Sequence, residues 1–445
     1  TVTLGAYATA LTIDASALNG TDEVLTVDGN SATKALTITA SGGADEITGG
    51  AGNDTITLGS GNDTYNEFDG NDSVTGGAGN DTFDIADAQL SYLDSIDGGA
   101  GNDTIELDNT TAVTDVDFQN VSNTEYVTMD TGAASVTLGS YASAGGITKI
   151  TGIAATANTI NAVAMGTGIT MVAATATGMH DVLTGGTGVD TFVFSGITGL
   201  QDGDTLTGTA GADVIQLDNT SAAVTAEADF DDIATLTNIT VKDNDGGDAT
   251  SAEAINLTLS AITETTAQTI TIDASAITDT NDIVTITNNA ASTTTLFNIT
   301  GGAGADTLAG SNAADTISGG AGADTITGNV GADSLTGGSG ADNFIYATTT
   351  AITSGSAGAS TASTSAKTDT ITDFVAGTDN IALTATLSAN AQTVDFTDKG
   401  DANSISAGLA LLSGVAGEYF FNTADSQLVV DLDGNGLIQA TDLLI

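Results

Sequence analysis

Ten aspartates stand at a spacing suited to holding cations. Asp45, Asp54, Asp63, Asp72 and Asp81 follow one another at intervals of nine residues, and Asp306, Asp315, Asp324, Asp333 and Asp342 do the same late in the chain. An apolar residue follows each aspartate by two positions: Ile47, Ile56, Tyr65, Val74 and Phe83, then Leu308, Ile317, Ile326, Leu335 and Phe344. Glycines crowd the positions before them: Gly50, Gly52, Gly59, Gly61, Gly77 and Gly79 in the first run, and Gly302, Gly304, Gly320, Gly322, Gly338 and Gly340 in the second. Carboxylates are hard oxygen donors. Calcium takes about 6–8 oxygens, from carboxylates and from the carbonyls that glycine-rich loops expose.

The elements that position these side chains follow from the period. Two nonapeptides make one coil of 18 residues, written loop, short strand, loop, short strand. Glycine allows positive φ and close backbone approach in the loops. The three residues centred on each apolar position read as a strand with that side chain inward. Asp45, Asp63 and Asp81 then line one side of the coil, with Asp54 and Asp72 on the other. Asp306, Asp324 and Asp342 likewise oppose Asp315 and Asp333. Stacked carboxylates repel, by about 1 kcal/mol at about 4 Å in water and about 4 kcal/mol at an effective dielectric of about 20. Two apolar side chains per coil do not offset the entropy of ordering it. The expectation is a parallel β-roll that is disordered without calcium and whose folding free energy is calcium binding. A flexible Gly/Asp linker is the competing reading, but a linker has no reason to keep apolar residues in phase with aspartate.

The composition agrees. The chain has 445 residues, 57 acidic against five basic, and a net charge of −52. That balance excludes nucleic acid and anionic membranes as direct partners and calls for a cation. Charged residues are only 14%, so this is not an acidic disordered tail. Thr, Val and Ile favour strands. There is no Cys, Pro or Trp. Calcium outside the cell can staple a fold as disulfides do. No apolar run of about 18 residues offers a transmembrane span, and no signal peptide opens the sequence. The start at Thr1-Val2-Thr3, already in a strand pattern, leads us to expect a missing amino-terminal part.

The chain repeats on a larger scale as well. TVTLGAYA at Thr1 returns as SVTLGSYA at Ser135, TIDASA at Thr12 returns at Thr271, and LDNTTA at Leu107 returns as LDNTSA at Leu217. Three modules are expected, 1–134, 135–254 and 255–445, each a strand-rich lead-in followed by an aspartate block. The first block spans 45–83, with a further copy at 98–105 that carries Gly99, Gly101 and Asp103. The middle block, 181–215, is degenerate: Asp181, Asp190, Asp204 and Asp213, with Gly186 and Gly188 completing the motif only before Asp190. The third block spans 301–346. A Ser/Thr/Ala/Gly-rich loop at 351–365, expected to be mobile, separates it from a cap at 367–445. There Asp369, Asp373 and Asp379 alternate with apolar residues and are further candidate ligands. A solenoid end needs such a cap to cover its unpaired edge.

Near the end, Asp431-Leu432-Asp433-Gly434-Asn435-Gly436 begins a stretch matching an EF-hand loop. The alternative reading is a β-turn in a terminal strand pair. His180 is the only histidine, and with no Cys it offers no zinc site; a structural or solvated role is expected. No His-Glu-x-x-His occurs, and aromatic content is 4%, low for a sugar-cleaving cleft. No enzymatic activity is expected.

The nonapeptide blocks, DTITDFVAGTDNIAL and YFFNTADSQLVVDLDGNG resemble the carboxy-terminal region of RTX proteins exported by type I secretion. The resemblance implies an uncleaved carboxy-terminal secretion signal ending in Asp442–Ile445, passage through a calcium-poor cytosol unfolded, and folding outside. Calcium affinity should then fall at about 10⁻⁴–10⁻³ M. The Thr/Ala-rich lead-ins, with no enzyme domain attached, look like the calcium-dependent S-layer proteins of Gram-negative, particularly alphaproteobacterial, cells. That likeness implies a secreted cell-surface subunit that self-associates into a two-dimensional lattice. It also implies binding to lipopolysaccharide through an amino-terminal domain not identifiable here. An RTX adhesin or biofilm matrix protein, or the non-catalytic part of a secreted enzyme, is the alternative.

Overall fold

Each Asp-x-apolar triplet begins a short strand, and the strands wind into parallel β-solenoids. The computed structural model describes residues 1–445 other than 7–8, 68, 87–88, 109–110, 131–134, 154–155, 174–179, 196–203, 220–223, 227–232, 235–237, 244–253, 260–267, 289–293, 349–368, 376–377, 386–396, 403–417, 423–426, 432–442 and 445. The 351–365 loop and Asp433 lie outside the described residues. The chain divides into two compact units: Thr1–Asp218 with Asp232–Leu236, and Asn219–Asp231 with Thr237–Ile445.

In the first unit one face stacks Val27, Ile47, Tyr65, Phe83, Ile105, Val127, Ile150, Met171, Phe192 and Ile215, each in register with the next. The opposite face stacks Ile38, Ile56, Val74, Ile96 and Val121. It is followed by a second ladder of Val136, Ile160, Leu183 and Leu206. All of these side chains are buried. A row of apolar residues facing inward from every coil is the core of this unit, because in a parallel sheet with period two only alternate residues can reach it. The ladder crosses from the first lead-in and block into residues 135–172 without a break, through pairing of Val127 with Ile150 and of Val113 with Val136. The lead-ins are therefore coils of the same solenoid with longer turns. One such turn holds a 3-10 helix at Asp115–Phe118, and another the short helix Ser140–Gly145, closed by Gly146 at φ 103°.

The second unit follows the same plan. Ile272, Ile299, Ile317, Leu335 and Ile371 stack on one face, and Leu257, Ile286, Leu308, Ile326 and Phe344 on the other, where strand Asn343–Thr348 pairs onward with Asn380–Ala385. Strands Thr397–Ala402, Glu418–Asn422, Gln427–Asp431 and Leu443–Leu444 form a separate sheet, with antiparallel pairing around Gln427–Asp431. Asp431 ends that strand, opposite Glu418.

The strands are not uniformly three residues long. Glu46–Thr48 and Thr307–Ala309 are, but Thr55–Ser60, Ser73–Ala78, Thr316–Ala321 and Ser334–Ser339 run six. The longer ones continue through the glycines, so that Gly59 pairs with Gly77 and Gly320 with Gly338. No described helix is long and apolar enough to cross a membrane.

Candidate metal centres

The aspartates of each block form two ladders, one along each side of the solenoid. On the first side the amide of Asp45 donates to Asp63 Oδ1 at 2.7 Å, that of Asp63 to Asp81 Oδ1 at 2.9 Å, and that of Asp81 to Asp103 Oδ1 at 2.8 Å. On the other, Asp54 donates to Asp72 and Asp72 to Asp94. In the second unit Asp306, Asp324, Asp342 and Asp379 form one ladder, and Asp315, Asp333 and Asp369 the other. The middle block is laddered too: Asp181 donates to Asp204, and Asp190 to Asp213. The step is 18 residues in the regular blocks, 22 or 23 where the turns lengthen, and 36 or 37 to Asp369 and Asp379.

Asp373 stands apart. Its two oxygens accept the amides of Gly337 and Gly338 at 2.9 and 2.7 Å, which places it over the last glycine pair rather than in a ladder.

The first oxygen of each ladder carboxylate is thus held by the preceding coil. The second differs along the ladder. Oδ2 of Asp63, Asp81, Asp103, Asp324 and Asp342 is buried with no hydrogen-bond partner. These are acceptor-only groups when ionised, and leaving one dry and unmatched is unfavourable. The surroundings supply more oxygen. A Cβ added to Gly76 would meet both Asp81 Oδ2 and the Gly98 carbonyl oxygen; one on Gly319 would meet Asp324 Oδ2 and the Gly337 carbonyl oxygen. Where a glycine stands five residues before the aspartate, as at Gly76 and Gly319, it makes room for that carboxylate to face the next coil's backbone.

Glycine has a second use at Gly79 and Gly340, with φ 140° and 150°. The expectation of positive φ fails at Gly50, Gly52, Gly186, Gly188, Gly302 and Gly304, which are not in that region. At Gly50, Gly52, Gly186 and Gly304 a Cβ would collide with the neighbouring coil's backbone, so close approach alone requires glycine.

Burial is the main influence on these carboxyls. It raises Asp54, Asp63, Asp190, Asp306 and Asp315 to about 6, and Asp81 and Asp324 to about 7. Repulsion from stacked neighbours adds to it, from Asp63 and Asp103 on Asp81 and from Asp306 and Asp342 on Asp324. Asp72, Asp103, Asp213, Asp333 and Asp342 are raised as well, by burial first. The repulsion anticipated from the spacing is present, but loss of water is the larger effect.

Among the described residues no three acidic or histidine side chains converge. A cation bound here would take carboxylate oxygens from the stacked aspartates and loop carbonyl oxygens, an all-oxygen donor set of the kind calcium prefers. Bound calcium supplies the positive charge that offsets the burial of these carboxylates.

Several ladder members lack the glycines that would flag them. Asp94 follows Asp72 by 22 residues and has only the Asp-x-apolar signature, Asp94-Ser95-Ile96. Ser41 and Ser311 donate amide and hydroxyl to Asp45 and Asp315, and Tyr65 donates its hydroxyl to Asp72 Oδ2 at 2.6 Å. His180 is exposed.

A parallel β-solenoid with paired ladders of buried aspartates defines a class of calcium-dependent repeat structure. Six segments match the model of the RTX calcium-binding nonapeptide repeat: 37–65, 69–84, 91–109, 198–219, 298–326 and 309–344. Such repeats bind calcium ions, and these segments of the chain are similar to them. Asp181 and Asp190 lie outside the matched segments although the ladders include them. A comparison of the chain with curated proteins returns no match.

Proposed function

We propose that this protein is a structural subunit of a secreted, calcium-dependent bacterial surface layer, in which calcium drives both folding and lattice assembly. The observation that carries the reading is that both units are built from the same repeating scaffold, each with ladders of buried carboxylates. A chain made of repeated coils, with a charge of −52 and without Cys, suits a protein that stays unfolded at low calcium and becomes rigid outside the cell. Export by type I secretion, a non-catalytic role and attachment to lipopolysaccharide through an amino-terminal part belong to the same proposal. They rest on the resemblance of the repeats, cap and lead-ins.

Electron microscopy of the secreted protein in millimolar calcium is the test. A periodic two-dimensional sheet that disperses in EGTA is expected. Isolated rods or fibres would replace this reading with that of an adhesin or biofilm matrix protein, and hydrolytic or epimerase activity on polysaccharide with that of an enzyme's repeat region.

A further inference from the structure

The ladder of Asp45, Asp63, Asp81 and Asp103 continues past its last nonapeptide. The amide of Asp103 donates to Glu125 Oε2 at 2.9 Å, the contact each earlier member makes with the aspartate after it. Glu125 lies in Val121-Ser122-Asn123-Thr124-Glu125-Tyr126, a segment with no glycine and outside the matched 91–109. Nothing in its composition marks it as a metal loop.

The backbone nevertheless reproduces one. A Cβ on Gly98 would meet Asp103 Oδ2 and the Asn123 carbonyl oxygen, just as one on Gly76 would meet Asp81 Oδ2 and the Gly98 carbonyl oxygen. Asn123 holds φ 48°, a conformation non-glycine residues enter rarely and asparagine most readily. Its side chain is tied down by donating to Asp97 Oδ1 at 2.7 Å. Asp103 is 0% exposed and its Oδ2 has no hydrogen-bond partner. A buried carboxylate oxygen aimed at a neighbouring carbonyl is unfavourable unless something positive lies between them.

The opposite outcome is visible elsewhere. Asn158 occupies the ladder position before Asp181 and brings its own donors: Nδ2 donates to the Ile153 and Thr156 carbonyls and to Asp181 Oδ1. That coil is satisfied by hydrogen bonds. The Asp103–Glu125 step has no such amide group.

We infer that Asp103, Glu125 and the Asn123 carbonyl oxygen form a further calcium site, which closes the first ladder with residues from a segment that carries no nonapeptide. The inference rests on calcium binding by the neighbouring repeats. Its consequence is that calcium bridges the first repeat block to the coil leading toward residues 135–172, so the two are not calcium-independent of each other.

The test is Glu125→Gln in the full chain. The substitution keeps an acceptor for the Asp103 amide but removes the charge. Equilibrium dialysis should find one fewer calcium per chain, or one binding step weakened about tenfold or more, with the other steps unchanged. An unchanged stoichiometry and unchanged steps overturn the site. Hydrogen exchange on the native chain decides the matter without a variant. The amides from Asn123 to Tyr126 should gain protection at the calcium concentration that protects Asp103; full protection in EGTA overturns it. A chain that binds no calcium anywhere would instead remove the repeat-based reading beneath it.

Discussion

The amide of Asp63 donates to Asp81 Oδ1 at 2.9 Å, while Asp81 Oδ2, on the same carboxylate, is buried without a partner. Asp45, at the head of the ladder, is different. Its Oδ1 accepts from the Leu25 amide and the Ser41 hydroxyl, and its Oδ2 from the Ser41 amide. Head and interior positions therefore differ in how much they need a cation.

Substitution should expose that difference. Asp63→Ala and Asp324→Ala each remove a buried carboxylate with an unmatched oxygen and sever a ladder in its interior. We expect each to raise the calcium midpoint for folding, followed by circular dichroism, by about tenfold. Asp45→Ala should raise it by less, because local donors already satisfy that residue. Equal shifts for all three would show that the ladders do not act as stacked units.

Much of this was legible in the chain. The nine-residue period and the apolar residue two positions after each aspartate predicted two-sided stacking, and the ladders follow it. The heads of the ladders were not legible, because there the same position carries an apolar residue: Leu25, Leu36, Ile169, Val284 and Phe297 donate amides to Asp45, Asp54, Asp190, Asp306 and Asp315. Asp94 and Glu125 escaped because their turns are four residues longer and break the period, although backbone pairing depends only on where the next strand begins. In the sequence the lead-ins look unlike the nonapeptide blocks for the same reason. A coil of variable length has no period, yet it still places Val127 beside Ile150.

Acidity should act against calcium. Burial raises Asp63 to about 6 and Asp81 and Asp324 to about 7, above the unfolded value near 3.9. Protonation therefore favours the metal-free fold. That contribution is fully present below the unfolded value and is lost as pH rises through about 6 to 7. In EGTA the chain should show more β structure at about pH 5.5 than at pH 8. Calcium has to displace those protons, so its midpoint should climb as pH falls over the same window, with proton release detectable by calorimetry in buffers of different ionisation enthalpy. A midpoint indifferent to pH would mean that the buried carboxylates are not the ligands.

Calcium removal should not affect every coil alike. Between residues 135 and 172 the interior holds Val136, Leu138, Ile147, Ile150, Ile160, Met165, Ile169 and Met171, all buried. Each contributes roughly 1.5–3 kcal/mol when buried, and no unmatched buried carboxylate is found there among the described residues. The regular blocks have fewer apolar side chains per coil and unmatched oxygens in most. Hydrogen exchange in EGTA should leave measurable protection at Ile150, Ile160 and Met171 while the amides of Asp63, Asp81, Asp324 and Asp333 exchange freely. Uniform loss across the chain would show that the apolar coils do not hold without their calcium-bound neighbours.

Asn158 offers the sharpest reversal of that logic. Its side chain accepts the Ile153 amide at 2.8 Å and donates to the Ile153 and Thr156 carbonyls and to Asp181 Oδ1, and it is 0% exposed. Asn158→Asp preserves the shape and the acceptor but deletes every hydrogen bond the side chain donates. It also sets a second buried carboxylate against Asp181, whose Oδ1 already accepts the Asn158 amide at 2.7 Å. Leaving such groups unmatched costs about 1–3 kcal/mol or more for a charge. The variant should lose at least that much stability in EGTA, measured by urea denaturation of the surviving structure, and should regain part of it in millimolar calcium. The native chain should show no calcium response at this coil. Destabilisation that calcium does not relieve would mean that the ladder position does not by itself make a site, even with Gly152 leaving room beside the side chain.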